Sequence, residues 1–166
     1  MNQNSQPLTL DATDLRLLDE LQRDAARSNQ DLAAAVHVSP ATCLRRVKRL
    51  HEAGLVAHQM AVLSEDAVAA VLGHGLSAVV EVTLERQGDE HARAFEARVV
   101  ADDAVQQCYR VSPGPDFVLI VRVPDMPAYA ALAQRLFTAD ANVRNVKAFF
   151  SLHRAKFRPQ LPLHRG

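Results

Sequence analysis

Apolar residues first recur at helical spacing. Leu15, Leu17, Leu18 and Leu21 put a leucine-rich face on a helix predicted over Thr13 to Ala26. A short helix follows from Asn29 to Val36, built of small residues that permit close approach of a neighbour. His37-Val38 makes a tight connection to Ser39, a good N-cap because its hydroxyl accepts from a free backbone N–H of the first turn, and Pro40 suits the first helical position. Beyond it Cys43, Leu44, Val47 and Leu50 recur at three- and four-residue spacing as one apolar stripe for packing. Ala41, Thr42, Arg45, Arg46 and Arg49 fall largely on the opposite side. Three helices around a small common core, in this order, spell a helix-turn-helix. Gly54 is the left-handed cap that ends the third helix, and Val56 to Leu63 is predicted as a strand, which makes the layout winged-helix-like.

After Ser64 the pattern changes. Ser64-Glu65-Asp66 caps a short helical turn, and Gly73-His74-Gly75 closes a connector to a second domain. Leu76, Ala78, Val80, Val82 and Leu84 then alternate with Ser77, Val79, Glu81, Thr83 and Glu85, a period-two strand. Ala92, Phe95 and Val99 mark an amphipathic helix from Glu90 to Ala101. Ala104 to Val111 and Phe117 to Val123 are strands, joined by Ser112-Pro113-Gly114-Pro115-Asp116. Asp125 caps another helix with Tyr129, Leu132, Leu136 and Phe137 inward, and Val143 to His153 is the last strand. The order β-α-β-β-α-β is the ferredoxin-like split unit, two helices on one face of a four-stranded antiparallel sheet. The run Phe117-Val118-Leu119-Ile120-Val121 is apolar without alternation, so both of its faces are covered. Since both helices lie on one face, a partner subunit is the economical cover for the other.

The predicted fold class is therefore α+β, an N-terminal winged-helix-like helix-turn-helix domain (11–63) and a C-terminal ferredoxin-like βαββαβ regulatory domain (75–157). An N-terminal tail (1–10), a linker (64–74) and a C-terminal tail (158–166) complete the chain. That last tail, with Pro159 and Pro162, has two readings: extended against a neighbour, or mobile.

Charge decides what the first domain meets. Seven cations and seven acids lie between Asp11 and Leu63, so the segment is neutral, yet the acids cluster in the first helix and Arg45, Arg46, Lys48 and Arg49 in the third. An isolated basic run on a helix is most often a solvated face. Separated charge on a helix-turn-helix instead makes a local positive patch that steers to phosphate. Over all 166 residues, 19 basic and 19 acidic side chains cancel, which excludes nonspecific coating of nucleic acid or an anionic membrane. With 48% apolar residues the chain can build a packed core in each of two small domains. No apolar stretch reaches a membrane span and the start has no signal-peptide character, so a cytoplasmic protein is expected.

Catalytic chemistry has no support in the pattern. The seven histidines are dispersed, Cys43 and Cys108 are isolated, and neither a His-Glu-x-x-His nor a Gly-x-Ser-x-Gly nor a Gly-rich phosphate loop occurs. The expectation is a protein that is not an enzyme and needs no cofactor or metal.

Three stretches carry a resemblance. Leu10-Asp11-Ala12-Thr13-Asp14 before a leucine-rich helix, Val38 to Leu50, and Arg122-Val123-Pro124-Asp125-Met126-Pro127-Ala128-Tyr129 together resemble the Lrp/AsnC (feast/famine) family of transcriptional regulators, from Leu10 to Phe157. The resemblance implies a sheet-mediated homodimer, assembly of dimers into octamers or similar rings, and small effectors, often amino acids, bound between dimers. By position its effector loop falls on Tyr109, Ser112, Gly114, Asp116 and Phe117, with Asn142 and Thr138-Ala139-Asp140 as a contribution from another subunit. Two departures stand out: Pro113 where the family usually has Gly, and His37 where Gly is common in the turn. Chemically, Gly114 allows a ligand near the backbone, loop N–H groups can hold a carboxylate, and Asp116 can pair with an ammonium group. The plain alternative is a hairpin connection with Asp as a turn residue.

The resulting expectation is a sequence-specific regulator of double-stranded DNA. Ser39 starts the reading helix, Ala41, Thr42, Arg45 and Arg46 meet base edges, and Lys48 and Arg49 meet phosphates. Its assembly or DNA affinity responds to an amino acid or related small molecule. The competing reading, favoured by Pro113, is an effector-independent architectural DNA-binding scaffold.

Overall fold

The computed structural model describes residues 9–163 except 74 and 87, together with all side chains among these but that of Asp66. Most of the predicted N-terminal tail, His74 of the connector and the last three residues of the C-terminal tail lie outside the described residues. The chain divides into two compact units, one of residues 1–62 with 156–166 and one of residues 63–155.

In the first unit, three helices run Ala12–Arg23 (α1), Asn29–Ala35 (α2) and Pro40–Glu52 (α3). Each has a side-chain N-cap: Asp11, Ser28 and Ser39 accept from backbone N–H groups of their first turns. At α1 the cap is a reciprocal box, with the Asp11 N–H donating back to Asp14. Leu17, Leu18, Leu32, Val36, Cys43 and Leu50 form the buried core. Asn29 donates to the carbonyl of Pro40 at 2.9 Å, which fixes the start of α3 against α2. Gly54, at φ 72, ends α3 in the left-handed region, as its position after the last apolar residue predicts.

Two expectations are corrected here. Val56 to Leu63 forms no strand, because a strand exists only with a ladder partner and none is present there among the described residues; Met60, Val62 and Leu63 are exposed. The helix-turn-helix thus stands without a wing. Leu44 does not join the apolar stripe: it is exposed, while Cys43 and Leu50 on either side of it in sequence are sealed. In the described part of the C-terminal tail, Leu163 packs against the three-helix core, and the Gln22 side chain both accepts from the Leu161 N–H (2.6 Å) and donates to its carbonyl (3.2 Å). That part carries no regular secondary structure and rests on its own first unit.

The second unit opens with a helix at Glu65–Leu72 (α4), N-capped by Ser64, within the stretch predicted as a linker. Strand Leu76–Leu84 (β1), helix Asp89–Val100 (α5), strands Val105–Arg110 (β2) and Phe117–Val123 (β3), helix Met126–Ala133 (α6) with a π turn over Gln134–Thr138, and strand Val143–Phe150 (β4) follow. All pairings are antiparallel, in the order β2-β3-β1-β4. This is the predicted βαββαβ arrangement. The core lies between sheet and helices: Val80, Val82, Leu119 and Val121 from the strands meet Phe95, Val99, Leu132, Leu136 and Phe137. The opposite sheet face carries Val79 opposite both Ile120 and Phe149, and Glu81 opposite Lys147.

His37 sits at φ 58, in a region that costs an L-residue about 1–2 kcal/mol, whereas glycine loses about 0.5–1 kcal/mol more chain entropy on folding. The difference favours glycine, so His37→Gly should raise the stability of the first unit by about 0.5 kcal/mol. A higher denaturant midpoint at unchanged slope would show it.

Candidate functional site

The basic helix divides its cations into two pairs. The carboxylate of Asp14, on the first turn of α1, is fully buried, and α3 satisfies it. Arg46 Nη1 reaches Asp14 Oδ1 at 2.8 Å and Asp11 Oδ2 at 2.8 Å; Arg49 Nη2 reaches Asp14 Oδ2 at 2.6 Å. Only 25% of the Arg46 side chain remains exposed, against 44% for Arg49. Arg46, expected at base edges, is therefore turned back onto the body of its own unit. Arg49, expected on phosphates, shares its charge with Asp14. The cause is the cost of burying a carboxylate, which only paired cations offset.

Arg45 and Lys48 are the exposed pair. Lys48 lies 3.7 Å from Glu52, a loose surface contact, and no hydrogen bond or ion pair holds Arg45 among the described residues. Ala41 is exposed beside them. Ser39 Oγ accepts from the Thr42 N–H (3.2 Å) and donates to Thr42 Oγ1 (2.9 Å), so the Thr42 hydroxyl keeps its own proton to donate outward. The outward face of α3 is thus Ala41, Leu44, Arg45 and Lys48, with Thr42 at its edge.

The Asp11 carboxyl is held down to about 2, first by the Asp14 N–H and then by the Arg46 guanidinium. The same contact raises Arg46 above its ordinary value, Asp11 first and Asp14 next.

In the second unit the β2–β3 connection borders a cavity of about 450 Å³ lined by Leu84, Gly88, Ala92, Arg110, Val111, Ser112, Gly114, Pro115 and Asp116. Of the five residues placed there by position, Ser112, Gly114 and Asp116 line it. Gly114 is at φ 116 with open space around its missing side chain. Asp116 is partly committed: its Oδ2 accepts from the Leu84 N–H at 2.7 Å. Phe117 is corrected to a core residue, fully buried with its ring 4.9 Å from that of Phe95. Tyr109 is on the sheet face away from the helices, its hydroxyl donating to Gln107, and does not line this cavity. Asn142 braces the β1 end through Arg86, and Asp140 pairs with Arg98.

Arg110 was absent from the sequence-derived set. It stands in the cavity wall, 2.9 Å from Asp89 at the start of α5, and holds that carboxyl below the usual range, with Arg93 adding to the effect. Its position at a strand end before a Pro-Gly-Pro loop was the available signal. Among the described residues no group of acids, histidines and cysteines is placed to hold a metal ion, and no helix is long and apolar enough to cross a membrane.

These two units define a helix-turn-helix regulator with a separate ligand-binding domain. The AsnC-type helix-turn-helix domain matches residues 10–51, and the Lrp/AsnC ligand binding domain matches 77–161. A helix-turn-helix-type transcriptional regulator of Haemophilus influenzae is 34% identical over 148 residues, 89% of this chain and 86% of its own length. A leucine-responsive regulatory protein of Rhizobium meliloti is 34% identical over 147 residues, 89% and 92% of the two chains. The structure of a Neisseria meningitidis transcriptional regulator complexed with L-Met aligns with a TM-score of 0.81 at 31% identity, covering 93% of this chain and 97% of that one. An AsnC family regulator from Agrobacterium tumefaciens aligns at 0.83 and 28% identity, with the same coverage. The chain belongs to the Lrp/AsnC family of transcriptional regulators.

Two measurements test the division of the cations. Asp14→Ala leaves Arg49 without its carboxylate and Arg46 with Asp11 alone, and should cost the first unit about 3 kcal/mol; Arg46→Ala should also lower its melting temperature. Arg45→Ala should leave melting unchanged and weaken DNA in gel shifts; equal melting of all three variants would refute the division. A depressed carboxyl stabilises above its unfolded value of 3.8 and loses that contribution as pH falls towards about 2. The stability gap between wild type and Asp11→Asn should therefore close between pH 4 and 2, read from circular dichroism in an acid titration.

Proposed function

We propose that this regulator binds specific double-stranded DNA through the outward face of α3, and that an amino acid or related small molecule, held at the 450 Å³ cavity, alters its assembly or DNA affinity. The observation that carries the reading is the joint presence of an exposed cationic helix face on one unit and, on the other, a cavity combining Arg110, Ser112, Gly114 and Asp116. An α-carboxylate suits Arg110 and the loop backbone; an ammonium suits the free oxygen of Asp116. Names of relatives support the choice of ligand class, since one is leucine-responsive and another was solved with L-Met.

The sheet face away from the helices supports homodimerisation. Val79 lies between Ile120 on one side and Phe149, which is 54% exposed, on the other, and Glu81 lies opposite Lys147. An apolar centre with a charged rim suits a two-fold interface. Pairs of dimers, up to an octamer, would then offer several reading helices to one DNA. Site residues in this reading are Ala41, Thr42, Arg45 and Lys48 on DNA, with Arg49 contributing to phosphate from its exposed part.

The experiment is light scattering and thermal melting of the full chain against the twenty amino acids, with and without Arg110→Leu. A ligand at a hundredfold over its Kd stabilises by about 2.7 kcal/mol, a shift of a few degrees. Arg110→Leu should abolish that shift and keep DNA binding, and Phe149→Asp should give monomers. No shift with any amino acid, at undiminished DNA binding, would favour the effector-independent scaffold instead.

A further inference from the structure

Leu44 is the one large apolar side chain on the outward face of α3. It is 61% exposed, whereas Cys43 and Leu50 are fully sealed in the core. Helical spacing sets it three residues after Ala41 and four before Lys48, with Arg45 next in sequence, and away from the two arginines tied to Asp14. We propose that Leu44 is a specificity-determining residue that reads thymine through its 5-methyl group. The inference rests on α3 being the DNA-reading helix.

A docked reading helix meets what the major groove displays. Base edges there present hydrogen-bond donors and acceptors and a single apolar group, the methyl of thymine. A leucine pressed against a donor or acceptor leaves that group without a partner, while a leucine over a methyl removes apolar surface of both from water. Leu44 therefore favours A·T pairs at its position and disfavours G·C. Its place in the first half of α3, where a docked reading helix meets base edges, puts it with Thr42 and Arg45 and not with the phosphates. Arg45 next to it suits a guanine edge. The helix face then reads a short mixed sequence, a methyl beside a bidentate acceptor pair.

A protein partner is the other occupant an exposed leucine can have. Arg45 and Lys48 flank it on the helix, and the exposed apolar residues at its i−4 and i−3 positions, Pro40 and Ala41, are small, so the apolar patch around it is limited. A lone side chain amid charges is too small for a protein interface.

Removing one methyl at a time provides the test. Sites are first selected in vitro from random duplexes with the full wild-type chain. Each thymidine of a selected site is then replaced singly by deoxyuridine, which deletes the methyl and keeps every hydrogen-bonding group. Binding of wild type and Leu44→Ala is measured by fluorescence anisotropy. At one thymine of each half-site, deoxyuridine should weaken the wild type roughly fourfold, the worth of one buried methyl. Leu44→Ala should bind thymine and uracil equally there and respond like wild type elsewhere. Because Leu44 supports no core contact, the variant should melt with the wild type. If wild type and variant respond alike to every deoxyuridine, or Leu44→Ala weakens all duplexes equally, the assignment is overturned while α3 remains the reading helix. If Arg45→Ala and Lys48→Ala leave all DNA binding unchanged, the reading beneath it falls as well.

Discussion

A buried carboxylate organises the DNA-binding unit. Asp14 has no solvent exposure, and its two oxygens accept from the Asp11 N–H, Arg46 and Arg49, so its charge is fully answered. Those bonds tie α1 to α3 across 32 and 35 positions of sequence. An apolar residue at position 14 could glue the same helices together, but it would not set the rotation of α3 about its own axis. Two arginines one helical turn apart, both converging on one carboxylate, do set it. With that rotation fixed, Ala41, Leu44, Arg45 and Lys48 point outward by geometry, and the cations that a simple count would assign to DNA are halved.

The sheet unit obeys a different constraint. Its strands bury alternate residues under α5 and α6, which satisfies one face and leaves the other with Val79, Ile120 and Phe149. The β2–β3 connection closes one end beside α5, so Arg110, Ser112 and Asp116 share a cavity with the first residues of that helix. Asp89 occupies Arg110 there at 2.9 Å, an internal carboxylate in the place where a ligand carboxylate would have to compete. Ion pairs at such exposure are weak, so the competition is not prohibitive.

Much of this was legible in the residues. Period-two alternation marks β1, three-and-four spacing marks the helices, and Ser39-Pro40 and Gly54 bracket α3 within a residue of where it lies. What escaped was long-range. Pattern places Arg46 on the polar side of its helix, and the distant Asp11 and Asp14 turn it inward. Leu44 follows a buried cysteine and reads as core, yet a helix face is decided by what lies across it, and among the described residues nothing covers Leu44. Val56 to Leu63 has strand composition and no strand to pair with. Gln22 meets Leu161 across 139 positions, a contact that no local spacing announces.

Few free cations have a consequence for how such a protein finds its site. Each neutralised phosphate contributes roughly −0.9 to the slope of log affinity against log salt, so in the proposed docking Lys48 and the exposed part of Arg49 together supply at most about −2 per copy. In that reading one copy on its own binds DNA weakly, in keeping with a chain of zero formal charge; the proposed assembly would supply affinity through several α3 helices engaged at once, and base-edge contacts such as those proposed for Arg45 and Leu44 would supply discrimination. Any ligand that changes how many copies stand together changes DNA occupancy without touching α3 at all. In the proposed reading, restraining the charge of the reading helix and placing control in the assembly are two sides of one physical constraint.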